Sequence, residues 1–462
     1  MSSAAENVAS AGKQPGAGDG TGSSDDGGRS GGAGAVQTPP MSVSDRAKRW
    51  GILALLSLVI AGNYYAYDSI APVADLLRTG RGFTQQQIGL LNAVFSLPNI
   101  VLALVGGMLI DRFGPSRVAL WTAGLCCVGT VLTAIGTPFG LMVCGRLLFG
   151  VGEETLLIAL LAGLAQWFAA GGTALAMALF FSLARVGSYA ADISPRWART
   201  LYQHGAEPPL WLAAAITAVS LAAAIVYFVV DARRPPAPGG VAATSERVSW
   251  SDIERFDRSF WYILALNVLF ASVFFPFRST FAIEYFQDAK GLSLEEAGLV
   301  NSWVFCTAIF ATPVFGWVAD RFGHRALMMT LGTLMLPLTF LILGATHWSL
   351  WISTALMGIS FSVVPAVIWS ATAMLVAPAR LGTAYGLVNV LQNIGLAACN
   401  LAAGWLNDEL RAGRTNPAGF DGMLWFFGIL GGVAFAFVAL LWLRESGSHG
   451  HGLEAARITP DL

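Results

Sequence analysis

Two residues of opposite charge stand near the middle of long apolar stretches of this 462-residue sequence. Glu154 lies in GVGEETLLIA, and Arg185 lies in FSLARVGS. A charge at the middle of a membrane-spanning helix costs at least ~2.5–3.5 kcal/mol to insert, so an intramembrane charge indicates a function. An acid and a base at one depth can hold the ammonium and the carboxylate of a zwitterion by charge-assisted hydrogen bonds. The alternative interpretation is a structural salt bridge in which the two charges only neutralise each other.

Other polar side chains in the apolar stretches extend this candidate site. Glu153 precedes Glu154, but it lies about 100° further round a helix, so we expect it not to share that face. The segment NYYAYD on the first apolar stretch supplies further candidates for lining a cavity: Tyr64, Tyr67 and Asp68. The second half of the chain offers amides and hydroxyls instead of charges: Ser360, Ser362, Tyr385, Asn389, Gln392 and Asn393. The expected site therefore takes its charges from the first half and uncharged polar groups from the second.

The composition indicates a membrane protein. Hydrophobic residues make up 55% of the chain and charged residues 12%, with a mean hydropathy of +0.61, whereas soluble domains carry about 25% charged residues. No basic stretch interleaves with aromatic residues, so no nucleic-acid partner is expected. The five cysteines lie in apolar stretches without a CxxC motif, so we expect neither a disulfide nor a metal. Without a phosphate loop or a set of nucleophile and base, we expect no enzyme and no cofactor.

Twelve apolar stretches reach the roughly 20 residues that a helix needs to cross the hydrocarbon core of a lipid bilayer. They are 50–72, 84–110, 116–137, 139–169, 173–199, 209–231, 259–287, 294–319, 325–345, 348–376, 381–406 and 420–443. The predicted organisation is a disordered tail at 1–44, a six-helix half at 45–231, a linker at 232–258, a second six-helix half at 259–444 and a disordered tail at 445–462. Arginine and lysine concentrate in the loops on one side, which predicts cytoplasmic termini. The Ala- and Gly-rich composition favours a bacterial cytoplasmic (inner) membrane.

The second half of the chain repeats the first. One offset of 209 residues relates four pairs: Asn92 and Asn301, Gly107 and Gly316, Asp111 and Asp320, and Gly114 and Gly323. A repeat that contains membrane-spanning segments is typical of a transporter with two pseudo-symmetric halves, which rock about a site near the midplane. We therefore predict transport by alternating access.

The repeated segments resemble signatures of the major facilitator superfamily. GGMLIDRFGPSR and its echo GWVADRFGHR are similar to the loop signature GxLxDRxGxxR, and GRLLFGVG is similar to the fourth-helix motif. The resemblance implies an all-α membrane fold with twelve transmembrane helices in two pseudo-symmetric six-helix halves. It also implies a conformational gate, to which we assign Gly107, Asp111, Arg112, Arg146, Gly316, Asp320 and Arg321. The glycines would let helices approach closely, and the alternative is a turn with a purely structural role.

Five segments together resemble the lysosomal dipeptide transporter family: YYAYDSIAPV, GRLLFGVGEETL, SLARVGS, FPF and LGTAYGLVNVLQNIGLA. The resemblance implies facilitated passage of short peptides through a central cavity, as a uniporter. It places the acid of the family at Glu154 and the base at Arg185, in agreement with the depth of both residues. The sequence departs from the family at Arg278, which follows FPF and predicts a changed side-chain selectivity.

The sequence leaves other interpretations open. One is a proton-coupled carrier of a small organic anion, nitrate or sugar, for which Asp68 and Glu153 are the candidate proton carriers. Another class is a non-transporting receptor or accessory subunit, and the sequence identifies no protein partner. Four further charges lie late in spans five and seven, near the expected outer mouth: Asp192, Arg196, Arg278 and Glu284. They form an outer gate or snorkel to water, and snorkelling is the expectation for Arg196 and Glu284.

Overall fold

The computed structural model describes residues 43–135, 138–169, 172–233, 256–345, 349–377, 380–447 and 450–455. Helices dominate these residues, because a segment in lipid must satisfy its main-chain hydrogen bonds internally. The predictions for the tail at 1–42, the linker at 234–255 and residues 456–462 lie outside the described residues. We call the described residues up to 233 the N-half and those from 256 the C-half.

The described N-half begins with two helix pairs that each form one predicted span. Its helices are α1 (Val43–Asp68), α2 (Ile70–Arg81), α3 (Gln85–Ser96), α4 (Asn99–Phe113), α5 (Pro115–Ile135), α6 (Phe139–Trp167), α7 (Thr173–Asp192), α8 (Ser194–Trp197), α9 (Arg199–Gln203) and α10 (Glu207–Ala232). The helix is interrupted at Ser69 between α1 and α2, and again at Pro98 between α3 and α4. Thr84 fixes the start of α3, because its hydroxyl accepts a hydrogen bond from the main chain of Gln87 at 3.1 Å.

The C-half begins with a span that is also interrupted. Its described elements are α11 (Arg258–Pro276), a π-helical turn (Phe277–Phe281), α12 (Ala282–Asp288), α13 (Leu294–Phe322), α14 (Arg325–Ala345), α15 (Leu350–Leu375), α16 (Leu381–Glu409) and α17 (Asp421–Glu445). Pro276 lacks the N–H that would continue the hydrogen-bond ladder, so the regular helix ends there. The first and seventh spans correspond in the repeat, and both are irregular at the same level.

The described chain is an all-α, multi-pass membrane protein. Ten of its helical stretches are long and apolar enough to cross a membrane. The two remaining predicted spans coincide with α3–α4 and with α7. Each half has its own apolar core, which includes Phe149 and Leu160 in the N-half and Phe274 and Phe427 in the C-half.

Ion pairs join the two halves at one end of the molecule, which we call the closed end. Arg78 of α2 contacts the carboxylate of Glu284 on α12, and Arg414 lies 2.9 Å from Asp75 of α2. The hydrogen bond to Asp288 and the charge of Asp75 raise the pKa of Arg414 above its usual value. Glu284 is only 1% exposed, so the expectation that it snorkels to water is wrong. The ion pair with Arg78 compensates its buried charge.

The opposite end, which we call the motif end, carries the turns that follow α4 and α13. Gly114 and Gly323 end these helices with φ angles of +83° and +72°, which favour glycine over residues with a side chain. Asp111, Arg112 and Arg321 are exposed here. Within the described side chains, none of the three forms an ion pair with the other half.

The C-terminal segment is packed at residues 450–455, where the sequence predicts a disordered tail. Leu453 is fully buried, and its carbonyl accepts a hydrogen bond from the main chain of Arg325 at 3.0 Å. The carboxylate of Glu454 lies 3.0 Å from the ring of His324 and accepts from the main chain of Leu327 at 3.1 Å. The prediction of disorder is therefore wrong for these residues, because an acid at the N-terminus of α14 is stabilised by the unpaired amides there.

Candidate functional site

A polar cavity of about 230 Å³ lies between the two halves. The N-half lines it with Tyr64, Tyr67, Asp68, Phe95, Asn99, Glu153, Glu154, Leu157, Arg185 and Ser188. The C-half lines it with Phe275, Phe305, Trp369, Asn389, Gln392, Asn393 and Leu396. Its charges thus come from the N-half, whereas its amides come from both halves, because Asn99 of the N-half lines the cavity as well as the three amides of the C-half.

Helix α6 places two adjacent acids in the cavity wall. Glu154 accepts a hydrogen bond from the side-chain amide of Asn389 at 3.0 Å, which ties α6 to α16 across the two halves. Glu153 lines the same cavity, so the expectation that it lies on a separate face is wrong. Two side chains 100° apart on a helix can both line a cavity that lies between their directions, one to each side of it.

Helix α7 places the base of the site, and it is held by aromatic rings. The guanidinium carbon of Arg185 lies 4.4 Å from the ring centre of Phe361, 5.2 Å from that of Phe305 and 5.9 Å from that of Tyr64. Such cation–π contacts are worth about 0.5–2 kcal/mol and leave the edge of the guanidinium available. Arg185 forms no ion pair or hydrogen bond within the described residues, so it is available to an anionic group of a ligand.

Helix α1 contributes the segment NYYAYD to one wall. Tyr64, Tyr67 and Asp68 line the cavity, whereas Asn63 donates to the carbonyl of Val59 within its own helix at 2.8 Å. Asp68 has a second role, because its carboxylate lies 2.5 Å from the guanidinium of Arg278. The acid therefore faces the cavity and an arginine of the other half.

The amides of α16 form a connected group opposite the charges. Asn393 donates to the side-chain oxygen of Asn389 at 2.7 Å, so the amide that holds Glu154 is itself held in place. Tyr385 is not among the lining residues, and its hydroxyl donates to the carbonyl of Trp369 at 3.2 Å. It supports a lining residue and does not face the cavity itself.

Two hydroxyls expected near the site lie elsewhere. Ser360 donates to the carbonyl of Gly332 on α14, and Ser362 donates to the carbonyl of Gly358 in its own helix, each at 2.7 Å. Both serines are fully buried within the C-half. The sequence identifies both serines as polar groups of one apolar stretch, but it does not show which way their side chains face.

The residues assigned to the gate differ in their surroundings. Among the described residues, a Cβ at Gly107 or Gly316 would meet no atom within 4 Å, so a close helix approach at these glycines stays a prediction. Asp111, Arg112 and Arg321 lie exposed at the motif end. The side chain of Asp320 lies outside the described part of the chain.

Arg146 is buried inside the N-half, at 2% exposure. Its guanidinium donates to the carbonyls of Ala66 at 3.3 Å and Leu91 at 3.2 Å, and to the side-chain oxygen of Asn92 at 2.5 Å. It thereby joins α1, α3 and α6. These bonds show a structural tie within one half, and its assignment to the gate stays a prediction.

We expect Arg146→Ala to lower the free energy of unfolding by about 3 kcal/mol or more, because several buried carbonyls lose a charged donor. Thermal unfolding of the purified protein in detergent measures this loss. The exposed Arg112→Ala is the matched control, with an expected change within about 0.5 kcal/mol. Normal thermal stability of Arg146→Ala together with lost transport would instead support the gate assignment.

The sequence did not reveal the aromatic lining or the partners of Arg278. Phe305 and Phe361 hold Arg185, yet an aromatic residue in a membrane helix is ordinary and carries no signal by itself. Arg278 is fully buried and pairs with Asp68 and Asp192, so it lies outside the cavity and the changed selectivity expected from it has no support. Glu154 and Arg185 were paired because they lie at the same depth in the membrane. The same comparison of depths would have paired Arg278 with Asp68 and Asp192.

Membrane-spanning helices in two repeated halves, with a polar cavity between them, define a membrane transporter. The family model of the Major Facilitator Superfamily matches residues 56–283 and 267–459. The chain therefore belongs to this superfamily, as its repeated motifs predicted.

Several curated relatives are transporters. The lysosomal dipeptide transporter MFSD1 of Homo sapiens is 29% identical over 376 residues, which cover 79% of this chain and 81% of the relative. MFSD1 of Danio rerio is 29% identical over 370 residues, with 77% and 80% covered. The probable sulfoacetate transporter SauU of Cupriavidus necator is 23% identical over 369 residues, with 73% and 82% covered.

Solved structures of low identity share the fold. The nucleoside transporter NupG has a TM-score of 0.69 at 14% identity, covering 84% of this chain and 99% of its own. A bacterial homolog to the human lysosomal transporter Spinster, in an inward-facing and occupied conformation, has a TM-score of 0.67 at 16% identity, covering 87% and 97%.

Proposed function

We propose that this transporter carries short peptides, dipeptides in particular, by alternating access of the cavity between its two halves. Facilitated diffusion requires no coupling ion, so the peptide gradient drives transport. The similarity to MFSD1, a lysosomal dipeptide transporter, supports the substrate class. The bilayer is the other partner that the apolar helices require.

The observation that carries the proposal is an acid and an available base in one small cavity. Glu154 and Arg185 lie on consecutive helices, and both line the cavity. A free dipeptide carries an ammonium and a carboxylate, which match the two side chains in sign and in hydrogen-bonding geometry. The amides of Asn389 and Asn393 offer donors and acceptors for the peptide bond.

The charge balance disfavours the other substrate classes. Three acids line the cavity, namely Asp68, Glu153 and Glu154, against the single lining arginine, Arg185. The charge of Asp68 is shared with Arg278, but a small organic anion such as the substrate of SauU would still meet Glu153 and Glu154 beside Arg185. Like charges repel more strongly where water is excluded. A sugar would leave both signs of charge uncompensated. The cavity of about 230 Å³ is smaller than the ~300–1,000 Å³ of most small-molecule pockets, which favours a small ligand.

We assign the closed end to the outer face of a bacterial cytoplasmic membrane, with both chain termini in the cytoplasm. The arginine-rich loops at the motif end support this orientation. The structure then corresponds to a state in which the outer face is sealed by ion pairs such as that of Arg78 with Glu284. In the opposite state the exposed Asp111 and Arg112 would engage.

A thermal-shift screen of the purified transporter tests the substrate. Each of a set of dipeptides is compared with its N-acetylated form, its C-amidated form, a free amino acid, sulfoacetate, nitrate and a sugar. A ligand at 100 times its dissociation constant adds about 2.7 kcal/mol of stability. We expect stabilisation by free dipeptides and its loss when either end is blocked, because each block removes one of the two charges.

Stabilisation by simple anions or sugars alone would overturn the peptide assignment while leaving the superfamily fold intact. Equal stabilisation by free and blocked dipeptides would keep the peptide and remove the two-charge site. A free amino acid carries both charges but lacks the peptide bond. Its weaker effect would support recognition by the amides of α16.

A further inference from the structure

A cluster of buried polar side chains joins the two halves between the cavity and the closed end, and the peptide site does not account for it. We call it the Arg278 cluster. Its members are Asp68, Asn92, Asp192, Arg278, Thr280, Asn301 and Asn400, each at most 2% exposed. Polar groups that are this well buried in a membrane protein indicate a function.

The centre of the Arg278 cluster is one base between two acids of the other half. The guanidinium of Arg278 lies 2.5 Å from the carboxylate of Asp68 at the end of α1 and contacts that of Asp192 at the end of α7. Asn301 also donates to Asp192 at 3.0 Å. Each of these contacts crosses from one half to the other, so all of them must break when the halves separate at the closed end.

The backbone that carries Arg278 is a π-helical turn, a feature that occurs often at functional sites. Such a turn leaves main-chain carbonyls without their regular partners, and two asparagines satisfy them. Asn92 of the N-half donates to the carbonyl of Ser279 at 3.1 Å, and Asn301 donates to the carbonyl of Arg278 at 3.2 Å. Asn92 and Asn301 are equivalent in the repeat, so both halves hold the same turn in the same way.

Asp68 connects this cluster to the cavity. It lines the cavity and pairs with Arg278, and it lies at the end of α1, next to the break at Ser69. Away from Asp68, the ring of Phe305 lies between the Arg278 cluster and the cavity. Its centre is 3.9 Å from the guanidinium of Arg278 and 5.2 Å from that of Arg185. A positive group in the cavity therefore competes with Arg278 for the carboxylate of Asp68.

We propose that Arg278, Asp68 and Asp192 form a buried gate that holds the closed end shut, and that the ammonium of the cargo opens it by drawing Asp68 away from Arg278. The second part rests on the proposed peptide function, whereas the first part does not. Losing one partner of a buried ion pair destabilises strongly, whereas exposed pairs contribute little. The buried gate thus outweighs the exposed Arg414 pairs at the same end.

Cysteine labelling measures the opening of the closed end. Ala71 of the N-half lies one turn beyond Asp68, is 1% exposed and packs against the apolar core of the C-half. The residue created by Ala71→Cys should therefore react only when the halves separate. The reporter is placed in a full chain whose five native cysteines are replaced by alanine. We expect Arg278→Gln and Asp68→Asn to raise its rate of maleimide labelling by about tenfold or more. The matched control, Arg414→Gln, should change the rate by less than about threefold.

A free dipeptide should raise labelling of the Ala71→Cys reporter but not in the Asp68→Asn background, where the gate is already open. Arg278→Lys and Asp192→Asn are smaller changes that replace Arg278→Gln if that variant does not fold. Each should give a labelling rate between those of the wild type and Asp68→Asn. Labelling that is unchanged in folded gate variants would overturn the gate. Dipeptide binding in the thermal-shift screen without a labelling response would overturn the link through Asp68, whereas absence of dipeptide binding would instead reject the peptide function.

Discussion

Glu154→Gln and Arg185→Ala are each expected to reduce initial uptake of a free dipeptide about 10- to 100-fold. A charged hydrogen bond contributes about 1.5–3 kcal/mol, and every 1.4 kcal/mol is a factor of ten in affinity. Glu154 would lose its bond to the peptide ammonium, and Arg185 its bond to the carboxylate. Uptake of a radiolabelled dipeptide into proteoliposomes, at a concentration well below half-saturation, measures both effects.

Blocked peptides separate recognition from folding in these variants. The wild-type transporter should prefer a free dipeptide over its C-amidated form, and Arg185→Ala should lose this preference because the carboxylate has no partner left. Glu154→Gln should lose the preference for a free over an acetylated N-terminus in the same way. A variant that is merely unstable would transport every peptide less well and keep the preferences of the wild type.

Two exposed residues provide matched controls for the two substitutions. Glu409→Gln and Arg196→Ala remove the same charges at exposed positions, and both should transport at the wild-type rate. Full uptake by Glu154→Gln and by Arg185→Ala would contradict the two-charge site. Full uptake by Glu154→Gln alone would move the role of the acid to Glu153, which lines the same cavity.

The fold was accessible from the sequence because its signals are local. Apolar stretches of membrane length, the repeat at one offset and the charged turns at Asp111 and Asp320 depend only on neighbouring residues. The depth of Glu154 and Arg185 follows from counting along each helix. Their placement in one cavity also depends on which helices are neighbours, and the repeat constrains that strongly.

Features that depend on rotation and on distant packing were not accessible. Whether Glu153 lines the cavity depends on the rotation of α6 in its packing. The direction in which Ser360 points depends on the packing of α15 against α14. The π-helical turn at 277–281 depends on donors from Asn92 and Asn301, far away in the sequence. The pairing of Glu284 was hidden for the same reason. We expected it to reach water, but it pairs with Arg78, which is also far away in the sequence.

Gly89→Ala and Gly298→Ala are expected to abolish most dipeptide uptake while the protein stays folded. The two glycines are equivalent in the repeat, and each lies where the halves meet at the closed end. A Cβ at Gly89 would lie within 3.0 Å of the carbonyl oxygen of Asn400, and one at Gly298 equally close to that of Asp192. Both obstacles are main-chain atoms of the other half, so no side-chain rotation relieves them. The two halves would therefore stay apart at the closed end, and alternating access would stop.

Helix propensity makes this prediction separable from misfolding. Alanine is about 1 kcal/mol more favourable than glycine inside a helix, so neither substitution destabilises its own half. Uptake should fall at least about tenfold, since the clash acts against every closure of the interface, and Ala71→Cys should label faster in both variants. Gly124→Ala and Gly432→Ala are the controls, because a Cβ at either position meets no atom of the described residues within 4 Å. Normal uptake and slow labelling in Gly89→Ala and Gly298→Ala would show that the halves do not need this close approach to complete a transport cycle.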